Sequence, residues 1–421
     1  MTLHGTTVAA VGGPALVGWR KPTTGAVMKI AAIDSLHADA GWRVFSFLKI
    51  TTDEGIVGWS EYNESYGSKG VTGVIEKLTP IIIGADAMAH EAVFAQLYAV
   101  TRQAPGGINS QALAAIENAL LDIKGKALGV PVYTLLGGAI RKSLRLYWSH
   151  CGTYRMNKVT AEYINKPVMT SLDHVAELGA EVVEAGFSAL KCNMYAFGER
   201  NYVHSPGFGR TLGAPEVPAL NAERTLLRQL EAQMEALRRG GGDVDILLDL
   251  NFNFKPEGYI KVMRALEPYE LLWFEYDMFN PEAMALIRRQ VNVPTASCES
   301  LYGIREFRPY FAQQSMDVAI IDVPWNGIWQ SHKIAVMADA HEVNVAPHNF
   351  YGHLSTMMSA HFCASVPNFR IMEIDIDDVS WKDDLVTHPP EIVNGHLELS
   401  DRPGWGTDVN EDAVAAHPPK G

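Results

Sequence analysis

Three acidic residues close three successive apolar runs. Asp249 lies in ILLDLN, Glu275 in LLWFEYD and Glu299 in PTASCES. They are 26 and 24 residues apart, each interval being about one strand, one helix and two loops, the repeat of a (β/α) barrel. Runs rich in Val, Ile, Leu, Phe and Trp seldom end in a carboxylate. Taken singly, each acid reads equally well as a strand-end salt bridge. Three at this spacing put oxygen ligands at the C-terminal ends of neighbouring strands, which suits a hard divalent cation, Mg²⁺ first. The expectation is a metal-dependent enzyme with Asp249, Glu275 and Glu299 as ligands.

The next two apolar runs end in a second pairing. Asp322 closes DVAIID and His348 closes VNVAPH. Adjacent strand ends can set an aspartate against an imidazole, fixing its tautomer and raising its basicity. A lone histidine is more often packed or on the surface, and the neighbouring aspartate favours the catalytic reading.

The elements that must hold these residues follow from periodicity. MKIAAIDSLHA (28–38) reads as a strand, and RVFSFLKITTDEGIVGWSEY (43–62) as a hairpin around Asp53-Glu54-Gly55. A helix is expected from an Asn109-Ser110 cap, with Ile116, Leu120, Ile123 and Ala127 on one face and Gly129 and Pro131 ending it. From Leu144 the pattern changes to short strands alternating with amphipathic helices: LRLYWSH, SALKCN, DILLDLN, LLWFEYD, PTASCES, DVAIID, VNVAPH and RIMEID. Helices are expected over 171–186 and 220–242. The fold class is therefore α/β, a modified (β/α)7β TIM-like barrel over 144–375 with an α+β N-terminal capping domain over 28–143. Residues 1–27 read as an extension, with Met28 a plausible alternative start. The segment 376–421 reads as irregular and packing back on the capping domain. The long polar stretch 193–218 would project from the barrel's C-terminal face, as a lid would.

Composition bounds the chemistry. The chain has 421 residues, 47% hydrophobic and 20% charged, with a net charge of −13. Two domains fit that length. The acidity argues against nucleic acid or an anionic membrane as partner. It permits an anionic small molecule, because a bound cation reverses the local field. The four cysteines show no CxxC spacing, so reduced thiols in a cytoplasmic protein are expected. No apolar run reaches membrane-spanning length, and no basic residues precede VAAVGGPALVGW as they would in a cleaved signal.

From Met28 onward the chain resembles the enolase superfamily, mandelate racemase subgroup, and is similar to sugar-acid dehydratases of galactonate dehydratase type. FLKITTDEGIVGWSEY, AIENALLDIKGKALGVPVYTLLGG, GFSALKCN, LLDLN, WFE, CES, VAPH and IMEID match family motifs in order. The resemblance implies Mg²⁺ on Asp249, Glu275 and Glu299, and His348 with Asp322 as a general acid/base dyad. Lys191 stands where the family commonly begins Lys-x-Lys, but this chain reads Lys191-Cys192-Asn193, which removes the usual second base. The resemblance leaves Lys191 to bind a substrate carboxylate or to stabilise enolate charge. Glu373 corresponds to a glutamate that bonds the substrate carboxylate; protonated, it would donate to an enediolate oxygen, and its plainer reading is an ion pair with a barrel lysine. Asn251 replaces the histidine of galactonate dehydratases and is assigned to substrate or to the metal's water shell, as Asn193 is to substrate.

The family's capping loops choose the substrate. They imply His37, Trp42 and Arg43 in the first loop and Tyr62, Asn63 and Tyr66 in the second. His150 follows the first barrel strand and is a further substrate-binding candidate, with Tyr154 behind it and Tyr202 and His204 in the insertion. The implied reaction is dehydration of an aldonic or aldaric acid to a 2-keto-3-deoxy acid, in a dimer or octamer. One rival is a racemase, epimerase or cycloisomerase with Lys191 as second base; the other is a barrel that binds without turnover.

Overall fold

A computed structural model describes residues 27–198, 201–206 and 222–420. The extension 1–26 and most of the expected lid, 199–200 and 207–221, lie outside the described residues. Strands β1 (Ile30–Asp39), β2 (Val44–Thr52) and β3 (Val57–Asn63) form an antiparallel sheet in that order. Helices α1 (Val71–Ile82), α2 (His90–Thr101) and α3 (Gly107–Leu128) cover it. α3 lies so close to β3 that a Cβ on Gly58 would come within 2.2 Å of the Ala119 carbonyl oxygen, so only glycine permits this contact. The helix starts two residues before the expected cap. Gly106 and Gly107 both take positive φ (81° and 51°) and turn the chain into it, and the Ser110 hydroxyl accepts from the Gly106 amide at 3.1 Å.

Eight parallel strands make the barrel: β4 (Ser143–Ser149), β5 (Ala189–Cys192), β6 (Asp245–Asp249), β7 (Trp273–Glu275), β8 (Thr295–Ser297), β9 (Val318–Asp322), β10 (Asn344–His348) and β11 (Met372–Asp375). Helices α4 (Leu172–Glu184), α5 (Arg224–Gly241), α6 (Pro256–Leu266), α7 (Pro281–Gln290), α8 (Gly303–Ala312), α9 (Ile328–Asp339) and α10 (His353–Ser365) alternate with them. This is the (β/α)7β order. β4 through β10 pair in sequence, β11 pairs with β4, and amide bonds at Val345 tie β10 to the chain leading into β11. Tyr147, Leu247, Trp273, Ala296, Ile320 and Ala346 fill the barrel centre. Ser171 caps α4 as its sequence suggests, its hydroxyl accepting from the His174 amide.

The C-terminal segment is more ordered than its composition suggests. A hairpin of β12 (Glu391–Val393) and β13 (His396–Glu398) adds antiparallel to β4. Beyond it the Trp405 indole donates to the Trp59 carbonyl at 2.8 Å, and the Trp381 indole to that of Asp39 at 2.8 Å. No described helix is long and apolar enough to cross a membrane. All four cysteines are buried and free.

Three buried carboxylates join the layers. Glu61 of β3 accepts from the Gly352 and Ser355 amides at the start of α10, at 2.6 and 2.9 Å. Glu117 of α3 accepts from the Trp329 and Gln330 amides at the start of α9, at 2.9 and 3.3 Å. Asp122 accepts from the Trp59 and Trp405 amides, at 2.9 and 3.0 Å. Each satisfies donors that a helix start or loop leaves open. Burial still pushes Glu61 and Glu117 up to about 7.

Candidate active site

Strand register assembles the site. Asp249 lies directly opposite Glu275, and Asp322 opposite His348. Glu299 stands two residues beyond β8. The His348 Nδ1 is 2.6 Å from Asp322 Oδ2, and the Tyr351 hydroxyl donates to that same oxygen at 2.6 Å. The Trp325 amide donates to Asp322 Oδ1 at 2.8 Å. With Asp322 taken up by these donors, the Nδ1 proton is fixed and Nε2 faces the cleft, 3.6 Å from Glu299 Oε2. Burial favours the neutral imidazole, but Glu299 and Asp322 outweigh it and raise His348 to about 10.

Lys191, at the end of β5, is buried between two carboxylates. Its Nζ lies 2.8 Å from Glu275 Oε1 and 2.8 Å from Glu373 Oε1. Burial works against its charge, yet Glu275 and Glu373 win and hold its pKa well above the usual lysine value. Lys191 is therefore held as a cation between Glu275 and Glu373. Glu373 also accepts from the Ser149 hydroxyl and from the Asn349 amide, the latter at 2.6 Å. Burial would raise it, but Lys191, His348 and His150 hold it at about 2. In these contacts Glu373 is an acceptor and Lys191 carries the protons, which is the barrel-lysine ion pair of its plainer reading.

The three expected metal ligands share one charged region but not a closed cage. Asp249 Oδ1 accepts from the Asn251 amide at 2.8 Å, and its Oδ2 is 3.4 Å from Asn193 Nδ2. Glu275 is held by Lys191 and by the Trp273 indole at 3.0 Å. Among the described residues no group of three or more His, Cys, Asp or Glu side chains is arranged to hold an ion. The chemistry of the donor set nonetheless fits a hard cation. Burial raises Asp249, Glu275 and Glu299, and the fields of neighbouring acids add to it. Asp277, buried and bonded to the Ser297 hydroxyl and the Cys298 amide at 3.0 Å each, adds a fourth. Lys191 and His348 leave these acids short of positive charge, which a divalent cation would supply.

The expected substrate residues divide. Asn193 and Asn251 stand together beside Asp249, with Nδ2 and Oδ1 3.5 Å apart; Asn251 takes φ +46° to do so. Trp42 and Arg43 reach the barrel mouth. The Trp42 ring packs 4.3 Å from that of Tyr154, centroid to centroid. Arg43 is buried and spent on Asp375 and Asp378, at 3.1 and 2.6 Å, so it braces the mouth and offers no free charge to a substrate. His37 and Tyr62 are drawn into the capping domain. β1 and β3 run further than the loops assigned to these residues. The His37 Nδ1 bonds the Ser46 hydroxyl at 2.9 Å, and the buried Tyr62 bonds the Thr72 hydroxyl at 2.9 Å. His150 reaches the cleft with φ +45° and its Nδ1 2.9 Å from Asp375 Oδ1. Sequence reasoning passed over Asp277 and Asp375. Asp375 lies two residues after Glu373 in β11, and in a strand that spacing returns to the same face; Asp277 lies two residues beyond the end of β7.

Comparison with known proteins identifies the family. Residues 174–413 match the enolase C-terminal domain-like family, and residues 21–137 the mandelate racemase / muconate lactonizing enzyme N-terminal domain. A D-xylonate dehydratase of Haloferax volcanii is 29% identical, with 88% of this chain and 84% of that protein covered. A D-mannonate dehydratase of a Sphingomonas species is 30% identical, with 89% and 91% covered. A "putative L-alanine-DL-glutamate epimerase" from Burkholderia xenovorans strain LB400, crystallised with magnesium and fumarate, is 53% identical with a TM-score of 0.89. There 93% of this chain and 96% of that one are covered.

Proposed function

We propose that this chain, which belongs to the mandelate racemase / muconate lactonizing enzyme family of the enolase superfamily, is a Mg²⁺-dependent dehydratase of an aldonic or aldaric acid, forming a 2-keto-3-deoxy acid. The observation that carries it is the His348–Asp322 pair opening onto a cleft with surplus carboxylates and one fixed lysine. A proton alpha to a carboxylate is only weakly acidic. Asp249, Glu275 and Glu299 would hold the cation, which supplies positive charge to stabilise the enediolate. With Glu299 engaged as a cation ligand, the largest field that raises His348 would be removed, and His348 Nε2, oriented by Asp322, takes the alpha proton. Lys191, held by Glu275 and Glu373, offers its remaining proton to developing negative charge. His348 can return its proton to the departing beta hydroxyl. Relatives named as D-xylonate and D-mannonate dehydratases support this substrate class.

The Burkholderia xenovorans protein favours a second reading, epimerisation at the alpha carbon. That reaction needs a base on each face, the second being Lys191, which here is ion-paired to Glu275 and Glu373. A screen of aldonic and aldaric acids with Mg²⁺, read by 2-keto-acid formation and by proton NMR, separates the readings. Loss of water supports the dehydratase, while inversion without loss of water supports the epimerase. His348→Asn should abolish turnover and leave cation binding intact. Turnover retained in that variant would remove His348 from its role.

A further inference from the structure

The cleft holds a second histidine–aspartate pair built like the first. His150 follows β4, and its backbone takes φ +45°, a left-handed conformation that costs a non-glycine residue energy and is often found at functional sites. Its Nδ1 lies 2.9 Å from Asp375 Oδ1. Asp375 ends β11, directly opposite Ser149 at the end of β4. As Asp322 is braced by the Tyr351 hydroxyl, Asp375 is braced by that of Tyr154 at 2.8 Å, and by Arg43. Burial would raise the Asp375 carboxyl, but His150, Arg43 and Lys382 hold it below the usual carboxylate range. An ionised Asp375 fixes the Nδ1 proton and leaves Nε2 as the working atom, and Nε2 has no hydrogen-bond partner among the described residues. The side chain is 23% exposed, against 9% for His348. Both imidazoles pack on one ring: the Phe350 centroid is 5.9 Å from that of His150 and 5.0 Å from that of His348. A small acid lying over Phe350 is within reach of both.

We propose that His150, oriented by Asp375, is a second acid/base residue and protonates the departing beta hydroxyl, so that His348 need serve only the carbon. This rests on the dehydratase reading above. His348 Nε2 takes the alpha proton and the C–H electrons pass into an enediolate; in a second step they form the Cα–Cβ double bond as the beta C–O bond breaks. Imidazolium His150 gives its Nε2 proton to the leaving oxygen, which departs as water. In the tautomerisation that follows, His348 returns its proton to the beta carbon and His150 takes the enol proton, which restores both side chains.

The test compares the wild-type enzyme with His150→Asn and His150→Gln, using Mg²⁺ and the acid from the screen (D-xylonate and D-mannonate first) in D₂O. Mn²⁺ binding and the thermal midpoint report on folding. Both variants should release water at least about a hundredfold more slowly, yet still exchange the alpha proton of recovered substrate for deuterium; His348→Asn should lose both. Water release within about threefold of wild type would overturn the assignment. Equal loss of exchange and water release in both folded variants would also overturn it, reducing His150 to a positioning residue. Inversion or exchange without water release in the wild type, or neither with any acid, would remove the dehydratase reading and this inference together.

Discussion

Replacing Lys191 by Met should destabilise the cation-free protein by about 3–5 kcal/mol at pH 7.5, the usual cost of removing one partner from a buried ion pair. The side chain is 4% exposed and lies 2.8 Å from both Glu275 and Glu373. Met keeps the length and the apolar packing but removes the charge between two carboxylates. Against burial, Glu373 is held at about 2 by Lys191 first, with His348 and His150 adding to it. The stability due to this depressed carboxyl is fully present above its unfolded pKa and is lost as pH falls from there toward 2. Without Lys191, the folded-state pKa values of Glu373 and Glu275 both rise. Each then takes up a proton at mildly acidic pH, so at pH 5 the variant should recover much of the difference. Urea unfolding of both proteins at pH 7.5 and pH 5 measures this directly. A loss under about 1 kcal/mol, or one equal at both pH values, would refute the reasoning.

Three further outcomes follow from named contacts. Glu61 and Glu117, pushed up to about 7 by burial, bind protons more tightly folded than unfolded, so stability should fall as pH rises from about 4.5 to 7. Glu117→Gln should reduce the loss between pH 5 and pH 8 by roughly 2–3 kcal/mol, and an unchanged urea-midpoint slope would count against it. Gly327→Ala should cost about 1–3 kcal/mol, because its Cβ would lie 2.3 Å from Glu117 Oε1 at φ +81°; a thermal midpoint like that of wild type would contradict the tight approach. Asp322→Asn should lower kcat about 10²–10⁴-fold by releasing the His348 tautomer, with little change in circular dichroism. Activity near wild type would show that Asp322 does not orient the imidazole.

The alternation of short apolar runs with amphipathic helices made the barrel legible, because strand and helix periods differ and each run ends in turn residues. Strand-end acids marked the site for the same reason: a carboxylate at the end of LLWFE has no packing role. Whether a residue belongs to a loop or to a strand was less legible. His37 and Tyr62 were assigned to loops, but β1 runs to Asp39 and β3 to Asn63, and pairing between strands holds them in the capping domain. Arg43 carries no local sign of its partners, since Asp375 and Asp378 lie more than 330 residues away. The ionisation of Glu373 and Lys191 depends on a contact between β5 and β11, which no local pattern encodes. The hairpin β12–β13 escaped notice because its strands have three residues each, too few to show a period.

The most direct test of the account is Mn²⁺ binding followed by electron paramagnetic resonance, in the wild-type protein and in Asp249→Asn, Glu275→Gln and Glu299→Gln. The account predicts one tight site per chain, weakened at least about tenfold by each substitution, which is about 1.4 kcal/mol. A wild-type protein that binds no Mn²⁺, or one whose affinity all three substitutions leave unchanged, would contradict it.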